Sequence, residues 1–463
     1  DVTKGSKSVV VAVCDTGIRY THEDLKNQMW INGDEIAGNG QDDDGDGFVD
    51  NIYGADTVNN DGDPMDGGDH GSHVAGTIGA SANDDGPHVG VAWDVQLMAV
   101  KCLADWGGGS WAAVAGSVDF AVVNGASICN LSLGGTSFSQ AFLDIIVAAA
   151  DANVILVCAA GNSGSDNDGF PHYPSSYEHV ISVTATNSSE RVNWATYHET
   201  VDLASPGEDI LSTVIQNNPN NENNAYSSWA GTSMASPAAA SVIGLLSSFN
   251  PEWNNEQLTT MILATSDPIT NSVNSNYLDG KIGQGRVDAL RALSTPLFPK
   301  IELAEVDIQI INSDDSIIDA GEAVNLTTIL YNNPEWGIAF NPSIELSNDL
   351  ESFTINNSAQ NIDNINPGDV FLNFETPFEI IVDTDTPEGS YDFELVITSN
   401  NTEYATYNST STITIDVRNT LSNENFMADI FSISSPYPNP FNPSTELNFD
   451  LEKNTHVKID IYN

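Results

Sequence analysis

Val9-Val10-Val11-Ala12-Val13-Cys14-Asp15-Thr16-Gly17 opens with six apolar residues in a row and closes on an aspartate, a hydroxyl and a glycine. A run with no polar side reads as a strand buried on both faces. Similar runs recur at Val95 to Cys102, Ala126 to Leu133 and Val154 to Ala159, while Trp111 to Asn124 and Phe138 to Asn153 carry helical periodicity. Buried strands alternating with helices give an α/β fold, a mainly parallel sheet with helices on both faces. In such a fold the chemistry collects where strands end and helices begin. Asp15 stands at one such strand end.

Three further stretches carry chemistry. Asp69-His70-Gly71-Ser72-His73-Val74-Ala75-Gly76 places a histidine at the start of a helical pattern, and Gly231-Thr232-Ser233-Met234-Ala235-Ser236-Pro237 places a serine at another. A helix start leaves N–H groups unpaired and carries partial positive charge, which suits an oxyanion formed on a serine oxygen. Small residues around a serine also serve close helix packing, so this stretch alone does not decide. Cys158-Ala159-Ala160-Gly161-Asn162-Ser163-Gly164 follows an apolar strand and sets Asn162 at its end, where Asn-Ser-Gly is also ordinary turn chemistry. Asp15, His70 and Ser233 stand in that chain order.

These motifs, over roughly residues 5 to 296, resemble the subtilisin-like serine peptidases, in which the triad runs in that order. The resemblance implies that Ser233 is the nucleophile, His70 the general base and then acid, Asp15 the carboxylate that fixes the imidazole, and Asn162 a side-chain donor to the oxyanion. The roles match physical needs: a serine hydroxyl requires a base to take its proton, and histidine titrates near working pH. It further implies that an extended peptide lies against Ser132-Leu133-Gly134 and Gly108-Gly109-Ser110, with Gly109 letting backbone approach backbone. Ala159, Ala160 and Gly161 would wall an open primary specificity pocket. His172 stands where relatives carry a smaller residue at the pocket floor, and narrows it, favours another residue class or is a packed surface histidine; His73 reads as structural. The implied function is a calcium-stabilised serine endopeptidase of broad specificity acting on proteins or peptides, made with an inhibitory propeptide. A catalytically idle scaffold or adhesion protein is the alternative.

Gly40-Gln41-Asp42-Asp43-Asp44-Gly45-Asp46-Gly47-Phe48-Val49-Asp50-Asn51 repeats the first nine positions of an EF-hand-type loop. Asp42, Asp44, Asp46, the Phe48 carbonyl and Asp50 are the expected Ca2+ ligands, although Tyr53 occupies the place of the bidentate glutamate. The clusters Asp61-Gly62-Asp63-Pro64-Met65-Asp66 and Asp166-Asn167-Asp168 read as solvated turns.

The chain has 463 residues, enough for two or three domains, and 65 acidic against 13 basic side chains give a formal net charge of −52. That field disfavours nucleic acid and anionic membranes as partners, and no apolar run is long enough to span a bilayer. A secreted, extracellular monomer fits the charge. The first residues show no signal-peptide pattern, as expected of a mature or trimmed product. Cys14, Cys102, Cys129 and Cys158 fall in strand-like runs and read as free, buried thiols rather than disulfides.

The periodicity changes near Pro296-Leu297-Phe298-Pro299. The first domain, 1–298, closes with a helix at Asp288 to Leu293. Beyond it, Ala323 to Leu330, Phe378 to Val382, Tyr391 to Thr398 and Ser411 to Val417 alternate with period two between turn groups such as Asn366-Pro367-Gly368-Asp369. Residues 299–417 resemble an all-β, immunoglobulin-like sandwich appended to secreted enzymes. A polar linker, 418–434, leads to Pro436-Tyr437-Pro438-Asn439-Pro440-Phe441-Asn442-Pro443, which resembles the start of a sorting domain read by type-nine secretion systems, here a partial one at 435–463.

Overall fold

The computed structural model describes residues 2–82, 86–166, 171–188, 194–215, 225–269, 280–311, 313, 317–400 and 406–418, and the backbone of 431–433 and 449–451. Its first half is built on β1 (Val10–Asp15), β2 (Gly54–Asp56), α1 (His70–Gly79), β3 (Gln96–Lys101), α2 (Trp111–Val123), β4 (Ile128–Leu131), α3 (Gln140–Asp151), β5 (Ile155–Ala159), β6 (Val180–Thr186) and β7 (Leu203–Pro206). There follow the hairpin β8 (Ile210–Val214) and β9 (Ala225–Trp229), then α4 (Thr232–Phe249), α5 (Asn255–Ala264) and α6 (Ala289–Ser294).

Seven strands form one parallel sheet in the order β2-β3-β1-β4-β5-β6-β7. The strand alternation explains the two cores. Val11 and Val13 of β1, with Leu97 and Ala99 of β3, join the core shared with α1 and α4, whereas Val10, Ala12 and Cys14, with Met98 and Val100, join the core under α2 and α3. Both faces are covered, so the strands read as unbroken apolar runs. All four cysteines lie in the second core, free and buried, as expected. Successors of β1 lie on both of its sides, β3 to one and β4 to the other, so the chain reverses direction across the sheet at the end of β1. Asp15 stands at that crevice.

The expected helices and strands are present, with ends moved by a residue or three. Sequence reading missed β2, β6, β7, the hairpin β8–β9 and α5. β2 spans only three residues, and β7 is buried in three of its four positions with a serine and a proline among them, so neither carries a clear period.

Past α6 the strands pair antiparallel, apart from Ile318–Asp319, which runs parallel to the end of Thr406–Arg418. One sheet pairs Ile301–Ile310 with Ala323–Asn332, then Phe378–Val382, then Phe353–Asn356, with Val370–Leu372 also on Ala323–Asn332. The other joins Ile318–Asp319, Thr406–Arg418, Gly389–Asn400, Ser343–Ser347 and Ala359–Asn361. Their inward residues, Phe378, Phe393, Leu395 and Ile397 among them, make a separate core, as in a β-sandwich. Phe298 is buried against Met261 of α5, beside Trp253 and Tyr407, where the two halves meet. The 436–443 motif lies outside the described residues.

Candidate active site

Alternation along β1 sends Asp15 to the same face as Val11 and Val13, the face on which α1 packs. Its carboxylate is fully buried, and Oδ1 accepts from His70 Nδ1 at 2.7 Å and from the Thr16 N–H at 2.7 Å. An ionised acceptor requires the proton on Nδ1, which leaves the ring's lone pair on Nε2. Burial lowers the affinity of His70 for a proton; the charge and hydrogen bond of Asp15, with a smaller part from Asp66, outweigh that and raise its pKa. Close approach of α1 is needed for this geometry. A side chain in place of Gly71 would put its Cβ 2.0 Å from the Gly17 carbonyl oxygen, so only glycine lets α1 start against the end of β1.

Asp66 holds that junction together. Its Oδ1 accepts from Thr16 Oγ1 at 2.9 Å and from the Gly68 N–H at 2.7 Å, and its Oδ2 accepts from the Ser72 N–H at 2.9 Å and Oγ at 2.6 Å. Thr16 Oγ1 in turn accepts from the Gly71 N–H. The expectation of a solvated turn therefore holds for exposed Asp61 and for Asp63 on the outer side of the loop, and fails for Asp66, which is fully buried. Nothing in the local sequence separates the three; the bonds of Asp66 to Thr16 and Ser72 do.

Ser233 is the second residue of α4, so its N–H has no acceptor within the helix. Four residues on, Pro237 offers no N–H to the Ser233 carbonyl, and Ser132 Oγ donates to that carbonyl at 2.9 Å instead. Ser233 Oγ donates to the Ser132 carbonyl at 3.1 Å, so the hydroxyl rests on the segment expected to take substrate. Asn162 Oδ1 accepts from the Thr232 N–H at 2.8 Å and from Thr232 Oγ1 at 3.0 Å. With its oxygen so occupied, the Asn162 amide presents Nδ2 toward the start of α4. Thr232, which also accepts from the Gly161 N–H, is a positioning residue that sequence reading missed. Its signal was the place directly before the serine.

A cleft of about 740 Å³ runs beside His70, lined by Ser132, Leu133, Gly134 and Gly109 together with Trp106, Trp111 and Trp229. Buried Lys101 donates to the Thr16 carbonyl and to Asp105, both at 2.6 Å, tying the loop before Gly109 to the end of β1. Ala159, Ala160 and Gly161 do not line this cleft; they end and follow β5, the neighbour of β4, and Gly161 lies beside His172. His73 stacks on Trp229 at 4.6 Å, bonds the Ile210 and Ser227 carbonyls through Nε2, and burial lowers its pKa to about 4, as a structural histidine requires.

In the acidic loop, Glu35, Asp42 and Asp44 bring carboxylate oxygens within 4.8 Å of one another. Glu35 is buried and was missed, being outside the repeat. Asp46 bonds Asn51, Asn124 and the Phe48 N–H, and Asp50 accepts from Asn39 and Gly40 at the neck of the loop. Three hard oxygen donors this close suit a hard divalent cation such as Ca2+, which relieves their mutual repulsion. Asp166 of the third acidic cluster pairs with Lys281.

A sequence profile of the Subtilase family matches residues 6–285. This chain belongs to that family. Among its relatives, the thermophilic serine proteinase of Bacillus sp. strain AK1 is 36% identical over 271 residues, 58% of this chain and 59% of the relative. The halolysin-like extracellular serine protease Nep of Natrialba magadii is 33% identical over 63% of this chain and 49% of its own. This subtilase therefore spans about half to three-fifths of the length of those two. Thermitase of Thermoactinomyces vulgaris is 32% identical over 294 residues, 91% of its length. Among solved structures, a protease from Pseudoalteromonas arctica superposes with a TM-score of 0.54 at 25% identity, over 64% of this chain and 91% of that one. Among the described residues, no helix of the subtilase is long and apolar enough to cross a membrane.

Proposed function

We propose that this protein is a secreted serine endopeptidase that cleaves proteins through an acyl-enzyme on Ser233. The observation that supports it most is the 2.7 Å bond from His70 Nδ1 to buried Asp15, which leaves Nε2 as the ring's proton acceptor. In this reading the Ser233 hydroxyl leaves the Ser132 carbonyl and hydrogen-bonds to that nitrogen. Oγ then attacks the peptide carbonyl carbon while Nε2 takes the hydroxyl proton, and Asp15 stabilises the imidazolium so formed. The carbonyl oxygen becomes an oxyanion between the Ser233 N–H and Asn162 Nδ2. Collapse expels the amine, which leaves with the proton from His70, and water repeats the sequence to release the acid.

Glu35, Asp42 and Asp44 hold a structural Ca2+, with Asp46, the Phe48 carbonyl and Asp50 in the same loop; bound there, the ion would tie down the insertion between β1 and β2. Residues 299–417 act as an immunoglobulin-like spacer, 418–434 as a linker and 435–463 as part of a sorting domain. The acidic surface and the extracellular relative support export, an inhibitory propeptide is expected by family likeness, and a monomer suffices for the chemistry.

Labelling by a fluorophosphonate probe with peptide mapping, run beside casein digestion, tests the reading. Label on Ser233 and casein loss that both vanish in Ser233→Ala support it; a folded, calcium-loaded chain that neither labels nor cleaves would be the idle scaffold.

A further inference from the structure

The positions of Ser233 and Asn162 fix where a substrate residue must go. With its carbonyl carbon at Ser233 Oγ and its oxygen toward Asn162 Nδ2, the acyl-side residue projects between the segments that leave the ends of β4 and β5. Those strands are neighbours, and their continuations are Ser132 to Gly134 and Ala160 to Gly161. The space between them is filled by this chain itself. A Cβ on Gly134 would lie 2.0 Å from His172 Cε1 and 2.5 Å from Nε2, and one on Gly161 would lie 3.2 Å from His172 Cδ2. The imidazole thus touches one segment with one edge and the other segment with the opposite edge.

The ring is also held. Ser175 Oγ donates its proton to the His172 carbonyl at 2.7 Å, so in the 3.1 Å contact with the ring it accepts, and His172 Nδ1 carries the hydrogen. Burial pushes the pKa of His172 down, which keeps the ring neutral and without the hydration a charged ring would draw in. The open cleft lies instead on the other side of Ser132 to Gly134, along Gly109 and Trp111.

We propose that His172 stoppers the pocket on the acyl side of the scissile bond, so that this subtilase accepts only small residues there: glycine, alanine or serine. Affinity for longer peptides then comes from the cleft beside His70. The inference rests on the endopeptidase reading and narrows its breadth. It replaces the expectation of a pocket open to a sizeable side chain.

The test uses the full, calcium-loaded chain with succinyl-Ala-Ala-Pro-X-p-nitroanilides, X being Ala or Phe. Active-site concentration is taken from fluorophosphonate label on Ser233. We expect kcat/KM for Ala to exceed that for Phe by about tenfold or more, and His172→Gly to move the ratio toward Phe by a factor on the order of 10 to 200 at least, the range that a single methylene of pocket space commands. Mass-spectrometric mapping of cuts in denatured casein by the unaltered chain gives a second readout, independent of whether the variant folds. Cuts after Gly, Ala and Ser support the stopper. Label on Ser233 with cuts mainly after Phe, Leu or Tyr overturns it while leaving the endopeptidase intact. Absence of label and of cuts removes both.

Discussion

The two halves of the molecule use strands in opposite ways, and only one of them gathers the candidate catalytic residues. In the parallel sheet both faces are buried, so charged side chains on strands are confined to the ends, as Asp15, Asp56 and Lys101 are. Asp15, Asn162 and the Ser132 segment all stand just past or at such ends, and His70 and Ser233 come from the helices opposite. In the sandwich each strand hides one face, and the other meets water. Ile301–Ile310 alternates accordingly, turning Glu302, Glu305 and Asp307 outward or toward the rim. Acidic groups spread over such a surface remain solvated and apart. Enclosure, and not the number of carboxylates, separates a site from a surface.

The sharpest break in this contrast would come from Ser233→Ala. On subtilisin itself the loss of the serine costs about 2 × 10⁶ in kcat, and a fall of that order in peptide hydrolysis, measured against labelled active sites, is expected here. Residual activity of a tenth would mean that the enclosed end of the sheet is not where bonds break.

Asp15→Asn should reduce kcat by about 10⁴, as the same change does in a triad on another fold. It should also move the acid limb of the pH profile. Activity needs neutral His70; since the Asp15 charge holds the His70 pKa above its ordinary value, activity is lost as pH falls through that raised value. With that charge gone, only the smaller part from Asp66 opposes burial, and the limb should shift to lower pH in kcat/KM against pH. An unmoved limb would assign it to another group.

Asn162→Ala removes one oxyanion donor and should lower kcat by about 10² to 10³, the loss known for the subtilisin asparagine, with KM little changed. Thr232→Val, which frees the Asn162 oxygen from one bond, should give a smaller loss in the same parameter.

Where the halves meet, the expected effect is on stability alone. Phe298→Ala empties a buried site beside Met261 and should cost about 3–5 kcal/mol by denaturant titration, with kcat/KM at moderate temperature unchanged. A change in kcat/KM instead would show that the sandwich bears on the chemistry.

The smallest effect is expected from calcium removal. An ion present at a hundred times its Kd contributes about 2.7 kcal/mol, roughly 5–10 °C of Tm at 2–4 °C per kcal/mol. Chelation should lower the calorimetric Tm by this order while the initial rate at moderate temperature stays within about twofold; an unchanged Tm would refute the structural ion at Glu35, Asp42 and Asp44.

The sequence alone determined the parallel α/β layout, the sandwich that follows it and the four candidate catalytic positions, because these depend on local patterns: unbroken apolar runs, period-two alternation, and short motifs at strand ends and helix starts. It could not separate Asp66 from Asp61 and Asp63, bring Glu35 into the acidic loop, or show that His172 lies between Gly134 and Gly161. Those residues gain their meaning from chain that is distant in sequence. Burial turns one aspartate of three into a bracket, and a gap too narrow for a Cβ makes a histidine a stopper. Proximity of that kind exists only once the sheet has set its strand ends side by side, and so the tertiary structure decided it.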